Sequence, residues 1–246
     1  MRVAALVPAY QAAAHLGEVL LRLQALPAPP DTLVVDDGSR DGTAGVARSF
    51  GARLHSFAAN RGKGHALLKG FELLSDYEAV VTLDADGQHP PECFPAFVAA
   101  AEAGADLVLG ARPRSRDMPG LRRFANGMSS GWTSALAGRA VSDSQCGYRL
   151  YGRDVIARTP MTAGRYELET EIIVRAARLG FRIAEVDVPT VYGEEKSQIR
   201  AFRDVPRIFG AMARLTFEGV APPPAMRQAL ERSRAARSRA AVADPR

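Results

Sequence analysis

Asp84 and Asp86 stand one residue apart directly after the apolar run Val80-Val81-Thr82-Leu83, and Gln88 follows two positions later. Carboxylates two apart share one face of an extended chain. At a strand end they can converge on one hard divalent cation, Mg²⁺ or Mn²⁺, and leave its other positions to phosphate oxygens. Gln88 would add a carbonyl or a water contact. Taken alone, the pair also fits acidic residues that punctuate a turn. A second apolar run, Leu33-Val34-Val35, ends in Asp36-Asp37-Gly38-Ser39 and leads through Asp41-Gly42 to a helix start at Thr43. Two acidic strand ends of this kind place ligand groups at the carboxyl edge of a parallel sheet.

The elements that must carry these groups alternate along the chain. Arg2 to Leu6 reads as a first strand running into Val7-Pro8-Ala9-Tyr10. Leu16, Val19, Leu20, Leu23 and Leu26 have helical spacing, which ends at the Pro27 to Pro30 break. Thr32 to Val35 is extended, Thr43 to Phe50 helical, Ala52 to His55 a short strand and Lys63 to Leu74 helical. Ala79 to Leu83 feeds the D-x-D, Glu92 to Ala103 is helical and Asp106 to Gly110 is the next strand. Such alternation predicts a mostly parallel, Rossmann-like α/β sheet flanked by helices in a single domain.

The opening strand, the "DDGS" turn and the "DxD", in that order, resemble the nucleotide-sugar-binding half of the inverting family 2 glycosyltransferases. The resemblance implies a GT-A fold and runs from about residue 2 to about residue 203. It divides residues 1–217 into a nucleotide-sugar-binding half (1–110), an acceptor half (111–197) and a basic amphipathic helix (198–217). Gln11-Ala12 departs from the Asn-Glu that is common after the first strand. On this resemblance Pro8, Tyr10 and Asp37 hold the nucleoside, and Asp84, Asp86 and Gln88 hold the metal.

Five further segments extend the resemblance. Asn60-Arg61-Gly62-Lys63-Gly64 matches "N-x-G-K-G"; it is a tight turn and helix start, or it places Lys63 beside the donor, since helix N-termini favour anions. Gly110-Ala111-Arg112, followed by Arg114, Arg116, Arg122 and Arg123, is a guanidinium-rich loop suited to phosphate. In the polyprenyl-phosphate branch Arg112 and Arg123 would lie near the phosphates, with Arg114 and Arg116 on a solvated surface. Asp143-Ser144-Gln145-Cys146-Gly147-Tyr148-Arg149 resembles the "D-x-x-x-G-F-R" of dolichyl-phosphate mannose synthase-like enzymes. It implies Asp143 at the reaction centre and Arg149 organising it; a surface loop is the bland alternative. Tyr166-Glu167-Leu168-Glu169 matches a helix start whose acids complement the helix dipole, Glu169 being the one to test. The late Val188-Pro189 to Lys196-Ser197 segment implies that Lys196 and Ser197 close over the donor phosphates.

Composition bounds what else the chain can be. Its 246 residues, 47% hydrophobic and 24% charged, suffice for one sizeable core. Cys93 and Cys146 lie in no metal or redox spacing, which suits a reduced cytosolic compartment. No signal-peptide pattern opens the sequence, and no run approaches the ~20 apolar residues of a membrane span. Residues 198–246 hold ten Arg against Asp204, Glu218, Glu231 and Asp244, a net of +6, which leaves −1 for residues 1–197 out of the overall +5. That segregation argues against a nucleic-acid-binding catalytic face. Residues 218–246 read as a weakly ordered Pro/Ala/Arg-rich tail. From Gln198 to Phe217, an apolar stripe of Ile199, Phe202, Phe209, Met212 and Leu215 runs beside Arg200, Arg203, Arg207 and Arg214, with Pro206 as a kink. Such a helix suits the anionic inner face of a cell membrane, or packing on its own domain.

The resemblance, with the acidic strand ends, implies a metal-dependent, inverting transferase that moves a sugar from a nucleotide diphosphate to polyprenyl phosphate, with Asp86, Asp143 and Arg149 at the catalytic centre. A hydroxyl acceptor is the alternative and would need a general base, for which Asp143 is the candidate. A non-catalytic sugar-nucleotide or membrane-binding module fits less well with Asp37, Asp84, Asp86 and Asp143 all present.

Overall fold

The computed structural model describes residues 1–112, 120–162, 164, 167–189, 210 and 213–216, with backbone only at 120–125. Seven strands form one sheet: β1 (Val3–Ala9), β2 (Asp31–Asp36), β3 (Arg53–Ser56), β4 (Ala79–Thr82), β5 (Leu107–Ala111), β6 (Arg149–Gly152) and β7 (Ile183–Asp187). The helices are α1 (Ala13–Gln24), α2 (Thr43–Ser49), α3 (Lys63–Leu73), α4 (Phe94–Glu102), α5 (Gly120–Ala137), α6 (Arg153–Arg158) and α7 (Glu167–Arg178). A short 3-10 turn at Pro91–Cys93 precedes α4 where the sequence reads as a continuous helix. Proline at that point supplies no N–H to the turn before it.

Strand order is β3-β2-β1-β4-β6-β5-β7. Every pairing is parallel except those of β6, which runs antiparallel to β4 and β5. The expected mostly parallel α/β sheet is therefore present. Period-two alternation divides the central strands between two cores. Leu6, Leu33, Val35 and Val80 pack with Leu67 and Phe71 of α3 and Leu168 and Ile172 of α7. Val7, Val34 and Val81 pack with Leu16, Leu20 and Leu23 of α1 and Phe97 of α4. Both faces of the sheet are covered, so the central residues of β1, β2 and β4 are apolar runs.

The reversed strand has a functional consequence. Parallel strands deliver their carboxyl ends to one edge, whereas antiparallel β6 delivers its amino end there: Thr82 is opposite Arg149. The residues after β1, β2, β4 and β5 and those before β6 thus meet at a single edge.

Candidate active site

The first acidic turn is locked from both sides. Asp37 N–H donates to Ala9 O (2.8 Å), and Asp36 Oδ1 accepts Ser39 N–H (3.0 Å). Gly38 has φ +75°, and a Cβ there would lie 2.5 Å from the Ala59 carbonyl carbon, so only glycine lets the two loops touch. The Asp37 carboxylate, buried, accepts the N–H groups of Arg61 and Gly62, each at 2.7 Å. Asp37 thereby clamps the 60–64 loop that starts α3, a job the sequence does not reveal. Pro8 is buried within β1 and Tyr10 is exposed just beyond it. Gln11 holds φ 51°, with its N–H on Ser39 Oγ (2.9 Å) and its Oε1 accepting Arg40 N–H (2.8 Å). Asn visits this left-handed region more readily than Gln. Here two hydrogen bonds offset the strain.

The D-x-D lies in the turn after β4 rather than on a continuing strand, since β4 ends at Thr82. Asp84 Oδ1 meets Lys63 Nζ at 2.7 Å, and the same ammonium reaches Glu169 Oε2 at 3.0 Å. Burial opposes the charge on Lys63, but the Asp84 and Glu169 carboxylates outweigh it and hold its pKa above the ordinary lysine value. Burial likewise opposes ionisation of Asp84, and Lys63 reverses the balance and keeps that carboxyl below the usual range. Asp86 Oδ1 accepts the Gln88 N–H at 3.0 Å, which folds the turn back on itself. A Cβ at Gly147 would collide with the Asp84 carboxylate, so glycine is what allows the 143–147 loop to close against it.

That loop is held by three elements. Thr82 Oγ1 donates to Gly147 O at 2.9 Å. From α5, Ser130 Oγ accepts Ser144 N–H (3.1 Å) and Ser129 Oγ accepts Gln145 Nε2–H (3.0 Å). Arg149, fully buried, donates to the carbonyls of Cys146 (2.7 Å), Ser144 (2.8 Å) and Glu169 (2.7 Å). Arg149 thus holds the loop through backbone oxygens.

Asp143 is no surface-loop residue. It is 7% exposed and forms a two-pronged pair with Arg112, Nε to Oδ2 at 2.5 Å and Nη2 to Oδ1 at 3.0 Å. Burial would raise its pKa, but the Arg112 hydrogen bonds and charge hold it below the usual carboxylate range. Buried His89 lies within the fields of Asp84, Arg112 and Asp143 and 3.7 Å from Cys146 Sγ. Burial lowers the pKa of His89, which keeps the ring neutral. His89, Ser129 and Ser130 were not singled out from the sequence. His89 directly follows Gln88, and that adjacency was the available signal.

Asp37, Lys63, Asp84, Asp86, Gln88, Arg112, Asp143 and Arg149 therefore gather at one edge, joined by Glu169. Arg123 lies on α5, its side chain outside the described residues, as are Arg114, Arg116, Tyr166, Lys196 and Ser197. Among the described residues no three His, Cys, Asp or Glu side chains cluster as a ready-made metal cage. The donor set nevertheless fits a hard cation: two carboxylates and an amide oxygen in one tight turn, a number that requires further oxygens from a ligand. At the C-terminal end, residues 213–216 are helical. Leu215 is fully buried, its carbonyl accepts Arg178 Nη1–H (2.7 Å), and Arg214 pairs with buried Glu171 at 3.3 Å. This end of the amphipathic stripe packs on its own domain.

The glycosyl transferase family 2 model matches residues 4–159. The undecaprenyl-phosphate mannosyltransferase of Micrococcus luteus is 34% identical over 209 residues, covering 79% of this chain and 85% of its own. The polyprenol monophosphomannose synthase of Mycolicibacterium smegmatis is 31% identical over 202 residues, 76% of each chain. Among solved structures, glucosyl-3-phosphoglycerate synthase from Mycobacterium tuberculosis, in complex with Mn²⁺, UDP-glucose and phosphoglyceric acid, superposes with a TM-score of 0.73 at 20% identity. That alignment covers 87% of this chain and 79% of the other, and at this identity it shows a shared fold. The family model spans more than half of the chain, on the sheet and turns described above, and the chain belongs to glycosyl transferase family 2.

Proposed function

We propose that this enzyme transfers a sugar, with inversion, from a nucleotide diphosphate to a polyprenyl phosphate. The observation that carries the choice of acceptor is the Arg112–Asp143 pair. A hydroxyl acceptor needs a base, and Asp143, with both oxygens on one guanidinium and its pKa held down, is a poor one. A phosphate monoester, with a second pKa of about 6, is already anionic near neutrality and attacks without giving up a proton. The acceptors named for the Micrococcus and Mycolicibacterium relatives support the same reading.

Asp84, Asp86 and Gln88 would hold Mg²⁺ or Mn²⁺, which supplies positive charge to the departing diphosphate. The Mn²⁺ in the glucosyl-3-phosphoglycerate synthase complex supports a divalent cation in this fold. Pro8, Tyr10 and Asp37 would lie at the nucleoside, and Asp37 also fixes the loop that carries Lys63. Arg112 would lie near the phosphates. Arg149 keeps the 143–147 loop pressed to Asp84, so that donor and acceptor halves share one reaction space. Arg123, Lys196 and Ser197 would complete the phosphate contacts.

No helix among the described residues is long and apolar enough to cross a membrane. A lipid-linked acceptor would then be met at the membrane surface by the basic segment that contains Arg200, Arg203 and Arg207. Arg214 is also paired with Glu171 of its own domain.

The test is transfer of labelled sugar from a panel of nucleotide diphosphate sugars to short polyprenyl phosphates or to soluble hydroxyl acceptors, with Mg²⁺, with Mn²⁺ or with chelator. The expected outcome is product only with a polyprenyl phosphate and only with a divalent cation. Turnover confined to hydroxyl acceptors, or undiminished in chelator, would overturn the acceptor or the metal assignment respectively.

A further inference from the structure

Glu169 is 7% exposed, and only part of it is satisfied. Its Oε2 is 3.0 Å from Lys63 Nζ, while Oε1 is buried without a hydrogen-bond partner among the described residues, 4.0 Å from Arg149 Nε. The Arg149 guanidinium is already spread over three backbone carbonyls. What neutralises Glu169 is therefore mainly the Lys63 ammonium, which is shared with Asp84 at 2.7 Å.

We propose that Glu169 is a positioning residue of the cation site: by giving Lys63 a second carboxylate, it governs how much positive charge rests on Asp84 and hence how tightly Asp84 and Asp86 take a divalent cation. The inference rests on the metal reading above. An ammonium on Asp84 occupies one of its oxygens and repels an arriving cation. With Glu169 present, Lys63 keeps a counter-charge when Asp84 turns to the metal. Without it, Lys63 has Asp84 alone and competes fully. A point-charge ammonium on a flexible stem suits such sharing, having no fixed fork to satisfy. Glu169 lies in the first turn of α7 and Asp84 in the turn after β4, so the coupling exists only in the folded chain.

The test is binding of Mn²⁺ alone, read from the paramagnetic resonance of free Mn²⁺, to the full-length wild type, Glu169→Gln, Lys63→Met and Asp86→Ala. Glu169→Gln should bind Mn²⁺ about tenfold more weakly and Lys63→Met about tenfold more tightly, the size expected for one charge acting at short range in a partly solvated site. Opposite signs are the signature, because a merely structural Glu169–Lys63 bridge would weaken binding in both variants. Wild-type affinity in Glu169→Gln, or weaker binding in Lys63→Met, overturns the inference while leaving the metal site intact. If Glu169→Gln does not fold by near-ultraviolet circular dichroism, Lys63→Met decides alone. Wild type that binds no Mn²⁺, or binds it as well as Asp86→Ala does, removes the metal reading itself and the proposal with it.

Discussion

Two carboxylate–cation pairs sit at the same sheet edge and are built differently. Asp84 meets Lys63 through one contact, and Lys63 is shared with Glu169. Asp143 meets Arg112 through two, with both carboxylate oxygens engaged and both side chains less than a tenth exposed. The first pair is exchangeable: a point charge can give up one carboxylate for another without losing a fixed geometry. The second is a planar fork, oriented as well as neutralised. The comparison teaches that the edge holds one centre suited to trading its cation for another and one suited to staying as it is. The proposed function would use both, a charge that arrives with the donor and a frame against which the acceptor is placed.

The largest effect should come from emptying the exchangeable side. Asp86→Ala leaves Asp84, paired with Lys63, as the one carboxylate of that turn, and turnover is expected to fall on the order of 10³-fold, the upper range for losing one electrostatic stabiliser of a developing charge. Calorimetry should show the metal dependence of nucleotide diphosphate binding disappearing with it; a variant that binds like wild type contradicts the assignment.

The fixed side can be tested by changing shape without charge. Arg112→Lys keeps the cation and loses the fork, so steady-state turnover should drop about tenfold to a hundredfold while donor affinity stays within a few-fold. Asp143→Asn should behave similarly in kcat. If Arg112→Lys were indistinguishable from wild type, the contrast between fork and point charge would have no catalytic meaning.

The smallest effect is on acid stability. The folded-state pKa of Asp143 lies below its unfolded value of about 3.9, so the unfolded chain binds more protons as pH falls. The pair's stabilisation is complete above that value and is lost as pH drops through the lower folded-state pKa. Urea unfolding of wild type and Asp143→Asn should therefore differ most near neutrality, and the difference should shrink below about pH 4. A gap that stays constant with pH would mean that Asp143 is not held ionised by Arg112.

Much of the molecule was legible residue by residue. The apolar runs that end in Asp36-Asp37 and Asp84-Ala85-Asp86 announced buried parallel strands with polar ends, and β2 and β4 lie where those runs lie. The Leu16 to Leu23 spacing marked the buried face of α1. Boundaries were less secure: Leu83 falls outside β4, and Pro91–Cys93 is a separate 3-10 turn. Side-chain partners were least legible. Asp143 read equally well as a surface acid, because its guanidinium partner is distant in sequence, and Glu169 read as a helix-dipole residue because that is all its local context offers.

The sequence by itself determined the sheet class, the order of the acidic turns and the identity of the groups that could bind cation and phosphate. Those follow from local periodicity, from glycine at turns and from the abrupt change of apolar strand to carboxylate. Only the tertiary structure decided which charge faces which. The antiparallel entry of β6 carries Arg149 and the 143–147 loop to the carboxyl edge of the parallel strands, and α7 brings Glu169 to Lys63. Coulomb interactions depend on separation in space, and residues distant along the chain acquire that separation only when the core has packed.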